Sequence, residues 1–422
     1  MVKKIAIIGM GTVGEATIRS LKKNAALISR RKDLDVEIKG VCDVRKEKET
    51  VAKSLGVAFT TDAYQLINDP EVDVIVELIG GIEPAKSLIL AALKNKKHVV
   101  TANKALLAQH GAEIFNVALE NNVAVGFEAS VCGAIPLIEG VSRGLVSSEI
   151  KKIEGILNGT TNYILHRMTE ERMDFALALK EAQKKGFAEK NPHFDVEGID
   201  TLHKLCILAY LCFGVWPKLD KVYTEGITKI TLMDILYAEE LGYRIKLLAI
   251  AKKEDHDLDL RVHPALVCFD HPLAEVDDAY NAAFLDTVPA GQLLFYGLGA
   301  GGAPTSASVI SDVVNILLGG NEFFRGEEKV KLKNIKEVTT RYYLRFMAKD
   351  RPGVLAAIAK VLASCKISIA SVQQREVSKG KLAPVVILTH RAKEADLQKA
   401  LARIDKLDIV KHPTQVIRIE DL

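Results

Sequence analysis

Little in this chain speaks for a nucleic acid, a membrane or an oxidising compartment. It has one Trp, and aromatic residues make up 6% of it, too few for the stacking platforms that hold unpaired bases. An excess of one charge is also missing. The 57 basic and 54 acidic residues leave a formal net charge of +3, so no overall field favours a polyanion or an anionic lipid surface. Apolar runs are short. The longest, Ile207 to Trp216, is about half of the ~20 residues that a membrane span requires. The run Ile5 to Ile8 after two lysines is too short for the core of a signal peptide. The six cysteines, at 42, 132, 206, 212, 268 and 365, form no C-x-x-C pair and no cluster with histidine. They read as thiols of a reducing compartment, not as a disulfide frame or a zinc site. A cytoplasmic protein with no nucleic-acid or membrane partner is expected.

What is present fits a soluble globular protein. Hydrophobic residues are 48% and charged residues 26% of 422, enough for roughly two to three domains of ~100–200 residues. The first 128 residues alternate short Val/Ile-rich runs with amphipathic stretches. Strands are expected at 3–8, 36–43, 57–60, 72–79, 98–102 and 123–128, with helices between them. That alternation predicts an α/β fold, a Rossmann-type doubly wound parallel sheet. After Pro136 the periodicity changes. Helices are expected at 136–145, 160–168 and 174–185, and strands at 149–158, 220–232 and 259–269. The expected domains are 1–135, completed by 303–320; an α+β substrate and dimerisation domain, 136–302; a charged linker, 321–340; and a small C-terminal domain, 341–422. The last has a β-α-β-β-α-β pattern, the ferredoxin-like arrangement.

The first strand runs into Gly9-x-Gly11-Thr12-Val13-Gly14. In a dinucleotide site the first glycine permits the turn and the second lets backbone approach the pyrophosphate. The third packs helix against strand, and the helix N-terminus faces the anion. At the end of the second strand, Asp43 suits a ribose 2′-hydroxyl and points to NAD, whereas Arg45 and Lys46 suit a 2′-phosphate and point to NADP. NADP is favoured, with use of NAD left open.

The stretch GFAEKNPHFDVEGIDTLHK (186–204) sets Glu189, Asp195, Asp200 and Lys204 on a loop and the helix after it. Asp200 and Lys204, four apart, share one helical face. On an open surface such a pair is worth only ~0.3–0.5 kcal/mol. The run LCILAYL (205–211) that follows is apolar almost all round and hence buried. A lysine at its start lies at a core edge, where it requires a partner and shifts its pKa readily. His263 and His271, each followed by Pro, are read as structural histidines at strand ends and not as a metal pair.

The pattern G-F-A-E…P…D-x-x-G-x-D-x-x-x-K closely resembles the homoserine dehydrogenase signature. VVTANK (99–104), EASVCGAIP (128–136), LNGTTNY (157–163) and GLGAGGAPTSAS (297–308) resemble further stretches of that family, in the same order, over about residues 1–320. The resemblance implies reversible hydride transfer between L-homoserine and L-aspartate 4-semialdehyde with NAD(P), on the route to threonine and methionine. It implies Lys204 as proton donor and Lys104 near nicotinamide and substrate. Glu189 and Asp200, with Asp195 as support, would hold the substrate amino group and orient Lys204, the Gly159–Thr160 turn would belong to the substrate site, and Gly302 would lie near the cofactor. It also implies a monovalent cation such as Na+ or K+ at Glu128, Val131, Gly133 and Ile135. Cys132 departs from the small residue common there and puts that site in doubt. With Met1 so close to the first strand, the aspartate kinase fused to some relatives is not expected here.

Residues 341–422 resemble an ACT domain, carried by DRPGVL (350–355) and ISIA (367–370). The resemblance implies an amino-acid effector, L-threonine, near Asp350, Gly353 and Val354, acting by feedback inhibition in a homodimer or homotetramer. Two other readings stay open at this point: a Rossmann oxidoreductase acting on another sugar or amino-acid aldehyde, and an inactive amino-acid sensor that keeps the fold.

Overall fold

The computed structural model describes residues 2–320, 330–375, 382–411 and 413–420. The chain forms two compact units. One comprises residues 1–151, 200–219 and 280–329; the other comprises 152–199, 220–279 and 330–422. The stretch 136–302 thus contributes to both.

The first unit opens with β1 (Val2–Ile8), α1 (Thr12–Lys32), β2 (Asp35–Cys42), α2 (Lys48–Ser54), β3 (Phe59–Thr60) and α3 (Ala63–Ile67). It continues with β4 (Val74–Glu77), α4 (Ala85–Lys94), β5 (His98–Thr101), α5 (Lys104–Glu120) and β6 (Val125–Gly126). The strands pair in the order β3-β2-β1-β4-β5-β6, all parallel. The chain leaves β1 on one side and returns to β4 on the other, so the crevice at their carboxyl ends is the expected ligand site. Ile5, Ile7, Val41, Val74, Val76 and Val100 fill the core against Ile18 and Leu21 of α1. Helices cover both faces, which is why these strands read as unbroken apolar runs.

Further along come α6 (Leu137–Glu139), which runs into a π-helical turn at Gly140–Gly144, then β7 (Glu149–Ile156), α7 (Gly159–Glu170), α8 (Phe175–Lys185), α9 (His193–Val196) and α10 (Ile199–Phe213). These are followed by β8 (Tyr223–Thr224), α11 (Leu232–Glu240), β9 (Tyr243–Glu254), β10 (Asp257–Cys268), β11 (Tyr280–Val288), β12 (Gly291–Leu298) and α12 (Gly302–Leu317). Within the first unit β11 and β12 form an antiparallel hairpin. α12 lies along α1, with Ser20 and Ser306 hydrogen-bonded at 3.0 Å and Val309 and Val313 in the same core as β1.

The rest of the chain is β13 (Lys331–Leu332), β14 (Thr339–Lys349), α13 (Val354–Ser364), β15 (Ile369–Gln374), β16 (Leu382–Thr389), β17 (Ala392–Lys393), α14 (Glu394–Ile404) and β18 (Gln415–Glu420). In the second unit one mixed sheet runs β7-β9-β10-β18-β14-β16-β15. Its last four strands, with α13 and α14, are the βαββαβ module, packed on Tyr342, Phe346, Ile358, Leu362, Ile387 and Leu397. The module is not a separate bead. Its strand β18 pairs in parallel with β10, Ala265–Val267 against Arg418–Glu420.

Several expectations require correction. The alternation at 220–232 yields only the two-residue β8. Thr231 then caps α11 through a capping box with Asp234, a local competitor that strand periodicity ignores. β9, β11 and β12 escaped notice because a continuous apolar run such as IKLLAIA (245–251) does not distinguish strand from buried helix by period. Of the linker, 321–329 lies outside the described residues. The remainder is structured: β13 pairs with β10 and Asn334 caps the 3-10 turn Ile335–Glu337. His263 lies inside β10, fully buried beside Arg261, not at a strand end. His271 caps the 3-10 turn Pro272–Glu275 through Nδ1, accepting from Leu273 N.

Candidate functional site

The turn between β1 and α1 leaves no room for side chains. Gly9 has φ +107°, and a Cβ there would lie 2.6 Å from the carbonyl of Leu78; a Cβ on Gly14 would lie 2.0 Å from the carbonyl oxygen of Gly9. At Gly11 nothing stands within 4 Å, and no side chain caps α1. The first amides of α1, from Thr12 and Val13 onward, therefore lack the usual internal acceptor, the condition for anion binding at a helix start. Beside the turn opens a cleft of about 670 Å³ lined by Gly9, Gly11, Asp43, Arg45, Leu78 and Ile79, among others. These features fit a dinucleotide, with the diphosphate at the turn and the ribose toward Asp43.

Asp43 closes the far side of the turn. Its Oδ2 accepts from Met10 N at 2.8 Å, and Arg45 donates from Nε at 2.9 Å and from Nη2 at 2.8 Å. The Arg45 guanidinium and these amides hold the carboxyl well below the usual range. Arg45 itself is half-exposed, and Lys46 is exposed. Gly302, at the start of α12, packs on the start of α1: a Cβ there would lie 3.1 Å from Thr12 Cγ2.

Two helix starts in the same unit meet through one carboxylate. Lys104 begins α5, where Asn103 caps the helix by accepting from Leu106 N. Asp200 lies in the first turn of α10, with Lys204 one turn on. Asp200 Oδ1 is 2.6 Å from Lys104 Nζ, and its Oδ2 is 2.8 Å from Lys204 Nζ. Asp200 and Lys204 are buried, while the Lys104 side chain is 42% exposed. Burial alone would raise the Asp200 pKa; the two ammonium groups override it and hold the acid well below its ordinary value. The trio carries a net positive charge at an accessible edge. Such a site stabilises negative charge developing on an oxygen and offers it a proton.

At the 128–135 turn, Glu128 is buried, and its carboxylate is engaged by backbone. Oε1 accepts from Ile138 N at 2.9 Å and Oε2 from Glu139 N at 2.7 Å, so it caps the start of α6. Its own amide donates to Asp312 of α12. Cys132 adopts φ +57°, a conformation that favours glycine, and burial pushes its thiol up to about 11. The Gly133 carbonyl accepts from Ser308 Oγ at 2.6 Å, and that of Ile135 from Leu137 N at 2.8 Å. A cation at this turn would depend on second lone pairs of backbone carbonyls, a hard donor set of the kind that Na+ and K+ accept.

The second unit holds the remaining candidates. Asp195 Oδ1 accepts from the side-chain amide of Asn158 at 2.7 Å. Asn158 also caps α7 by accepting from Thr161 N, so one residue fixes both the helix start and the acid. Sequence reading passed over it, although an Asn directly before a helical run is a cap signal. Thr160 Oγ1 donates to the Phe187 carbonyl at 2.6 Å, and a Cβ on Gly159 would lie 2.6 Å from the Ala279 carbonyl oxygen. Glu189 is exposed on the loop after α8, and its carbonyl accepts from Gln183. In the C-terminal module Gly353 stands directly before α13, at φ +88°. Asp350 and Gly353 are exposed and Val354 is buried.

A parallel sheet in this strand order, a glycine turn opening its first helix and two lysines, one buried and one exposed, held by one aspartate define a nicotinamide-dependent oxidoreductase. Family profiles match in three consecutive stretches: a homoserine dehydrogenase NAD-binding domain over 9–128, a homoserine dehydrogenase catalytic domain over 136–314, and an ACT domain over 342–408. The homoserine dehydrogenase of Neisseria gonorrhoeae is 43% identical over 99% of this chain and 98% of its own length. That of Pseudomonas aeruginosa is 41% identical over 99% of each. The crystal structure of a homoserine dehydrogenase from Thiobacillus denitrificans superposes with a TM-score of 0.92 at 41% identity, over 100% of this chain and 99% of the other. A hyperthermophilic archaeal homoserine dehydrogenase in complex with NADPH matches 76% of this chain and 100% of its own, with a TM-score of 0.66 at 26% identity. The chain belongs to the homoserine dehydrogenase family and carries that family's oxidoreductase activity.

Proposed function

We propose that the chain reduces the aldehyde of L-aspartate 4-semialdehyde to the alcohol of L-homoserine, reversibly, around the Lys104–Asp200–Lys204 trio. The observation that carries this is the single buried carboxylate bridging two lysines, 2.6 and 2.8 Å away. Bound at the glycine turn, NADP(H) supplies or accepts the hydride. In reduction, Lys204 Nζ gives a proton to the carbonyl oxygen as the carbon receives the hydride; in oxidation it takes that proton back. Asp200 holds Lys204 in place and remains ionised throughout. Lys104 adds a second positive charge against the developing alkoxide. Glu189 and Asp195 provide carboxylates for the substrate ammonium group, with the Gly159–Thr160 turn shaping that loop. NADPH is the favoured cofactor because Arg45, half-exposed at the cleft, suits a 2′-phosphate. A monovalent cation at the 128–135 turn would be held by backbone carbonyls and would stiffen the turn.

The C-terminal module binds an amino acid, L-threonine, beside Asp350–Val354, and the enzyme works as a homo-oligomer. Supporting the latter, Leu294, Tyr296 and Leu298 alternate outward along β12 and are each close to half exposed, an apolar stripe on one face of a hairpin.

The test is NADPH oxidation with aspartate semialdehyde, comparing the wild type with Lys204→Ala. A loss of about 10²-fold or more in kcat is expected. No turnover by the wild type would reject the substrate, and an unaffected variant would reject the proton donor. Repeating the wild-type assay with saturating threonine tests the effector, and unchanged rates would exclude it.

A further inference from the structure

Glu77 is the last residue of β4 and is fully buried, yet the chemistry above does not use it. Its carboxylate gathers donors from two directions. From the loop that follows β4, Ile79 N donates to Oε1 at 2.7 Å and Gly80 N at 3.3 Å. From the neighbouring strand, Thr101 Oγ1 donates to Oε2 at 2.6 Å. Thr101 Oγ1 in turn accepts from Asn103 N at 3.0 Å, which commits the hydroxyl proton to Glu77. The Asn103 side-chain amide donates to the Gly81 carbonyl at 2.6 Å, while its oxygen caps α5. The bonds form a closed ring through residues 77, 79–81, 101 and 103.

The ring joins two working parts. One side is the 78–81 loop, whose Leu78 and Ile79 line the cleft beside the glycine turn. The other is the cap of α5, directly before Lys104. An isolated carboxylate in such a place would be costly; here every donor around it is aimed at the charged form, against a burial that pushes its pKa upward.

We propose that Glu77 is a positioning residue for hydride transfer, which locks the wall of the cofactor cleft to the helix start that presents Lys104. The proposal rests on the reading of the cleft and the lysine trio given above. Glu77 touches neither substrate nor nicotinamide; it fixes the distance between the parts that do. Hydride transfer is sensitive to such distances, and displacements near 1 Å change rates by orders of magnitude.

The test compares Glu77→Gln and Thr101→Val with the wild type, measuring kcat, KM for NADPH and thermal unfolding, with the double variant added. Gln keeps the acceptor for the loop amides but turns a donor toward Thr101; Val removes the hydroxyl at constant shape. Each variant is expected to lose about tenfold in kcat and to raise the KM for NADPH several-fold, and the double variant to be no worse than either single one, because one ring is broken twice. Glu77→Asp is expected to recover part of the loss. Wild-type kcat and KM in a folded Glu77→Gln, or losses that multiply in the double variant, would overturn the proposal. If Glu77→Gln does not fold, Thr101→Val decides alone by the same criterion. Lys104→Ala in the same assay separates the two levels: if it is inactive while the Glu77 and Thr101 variants are normal, only the positioning role fails. If Lys104→Ala is fully active, the reading of the trio fails with it.

Discussion

The ring of Trp216 lies against the backbone of Gly111, so closely that a Cβ there would sit 2.4 Å from the nearest ring carbon. Trp216 also stacks on Tyr210 of α10, with centroids 4.4 Å and planes 15° apart, and Phe115 of α5 packs against both. The helices that begin with Lys104 and carry Asp200 are thus clasped by one aromatic cluster, at the middle of α5 and toward the end of α10. Gly111→Ala is expected to overpack this clasp and cost about 1–3 kcal/mol, read from urea unfolding. Because the chain has one Trp, its fluorescence reports the same region directly. An unchanged emission maximum together with unchanged stability would show that the contact relaxes freely.

Arg45 pairs with Asp43 where the adenine ribose would lie. Arg45→Ala is expected to raise the KM for NADPH about tenfold or more, while the KM for NADH changes little, since only the former carries the 2′-phosphate. Steady-state kinetics with both cofactors at one ionic strength make the comparison. Equal effects on the two would remove Arg45 from cofactor selection.

Glu154, on β7, gives a pH signature. Burial pushes its carboxyl up from 4.5 to about 7, and Lys152, 2.9 Å away, offsets only part of that. An acid with a raised pKa keeps its proton longer in the folded chain than in the unfolded one. Its contribution to stability is therefore present below about pH 4.5 and is lost as pH rises toward 7. Glu154→Gln carries no such penalty. Relative to the wild type it is expected to gain stability between pH 5 and pH 8, measured by denaturant unfolding at both (values chosen to bracket the titration). A difference between the two proteins that stays constant with pH would contradict this.

Arg345 of the ACT module grips α11 through Asp234, with Nε to Oδ1 at 2.7 Å and Nη2 to Oδ2 at 3.0 Å, and Tyr343 donates to the same acid. Asp234 is fully buried. Asp234→Ala leaves a largely buried guanidinium without its counter-charge and removes the capping box of α11. A cost of about 3–5 kcal/mol is expected. Replacing both residues together by apolar ones, Asp234→Leu with Arg345→Met, is expected to cost less than the single change. The double-mutant cycle, followed by thermal unfolding, measures the coupling, and additive losses would mean that the two sites act independently.

Much of the nucleotide-binding sheet was legible from the chain because its signals are local. Short buried strands, a glycine turn and helices of clear period lie next to one another in sequence. The Asp200–Lys204 pair was legible for the same reason, since four residues make one helical turn. Lys104 was reached only by resemblance: it lies 96 residues before Asp200, and no spacing rule connects residues on two separate helices. Asn158 and Glu77 were missed because their roles depend on what the chain brings back to them. The carboxylate of Glu128 likewise serves α6, a use that appears only once the turn has closed. The strands of the mixed sheet failed for another reason: β9 is apolar along most of its length, so the alternation that marks a half-exposed strand is absent.

The pairing of β18 with both β10 and β14 has a consequence for how the second unit opens. Residues 415–420 lie mid-sheet, with Arg418 pairing Glu394 and Glu225 and Glu420 pairing the buried Arg261. Releasing β18 unpairs β10 and β14 at once and takes from Arg261 one of its acidic partners. The ACT module and the strands before it therefore share one cooperative element, and local opening at this strand is felt on both of its sides.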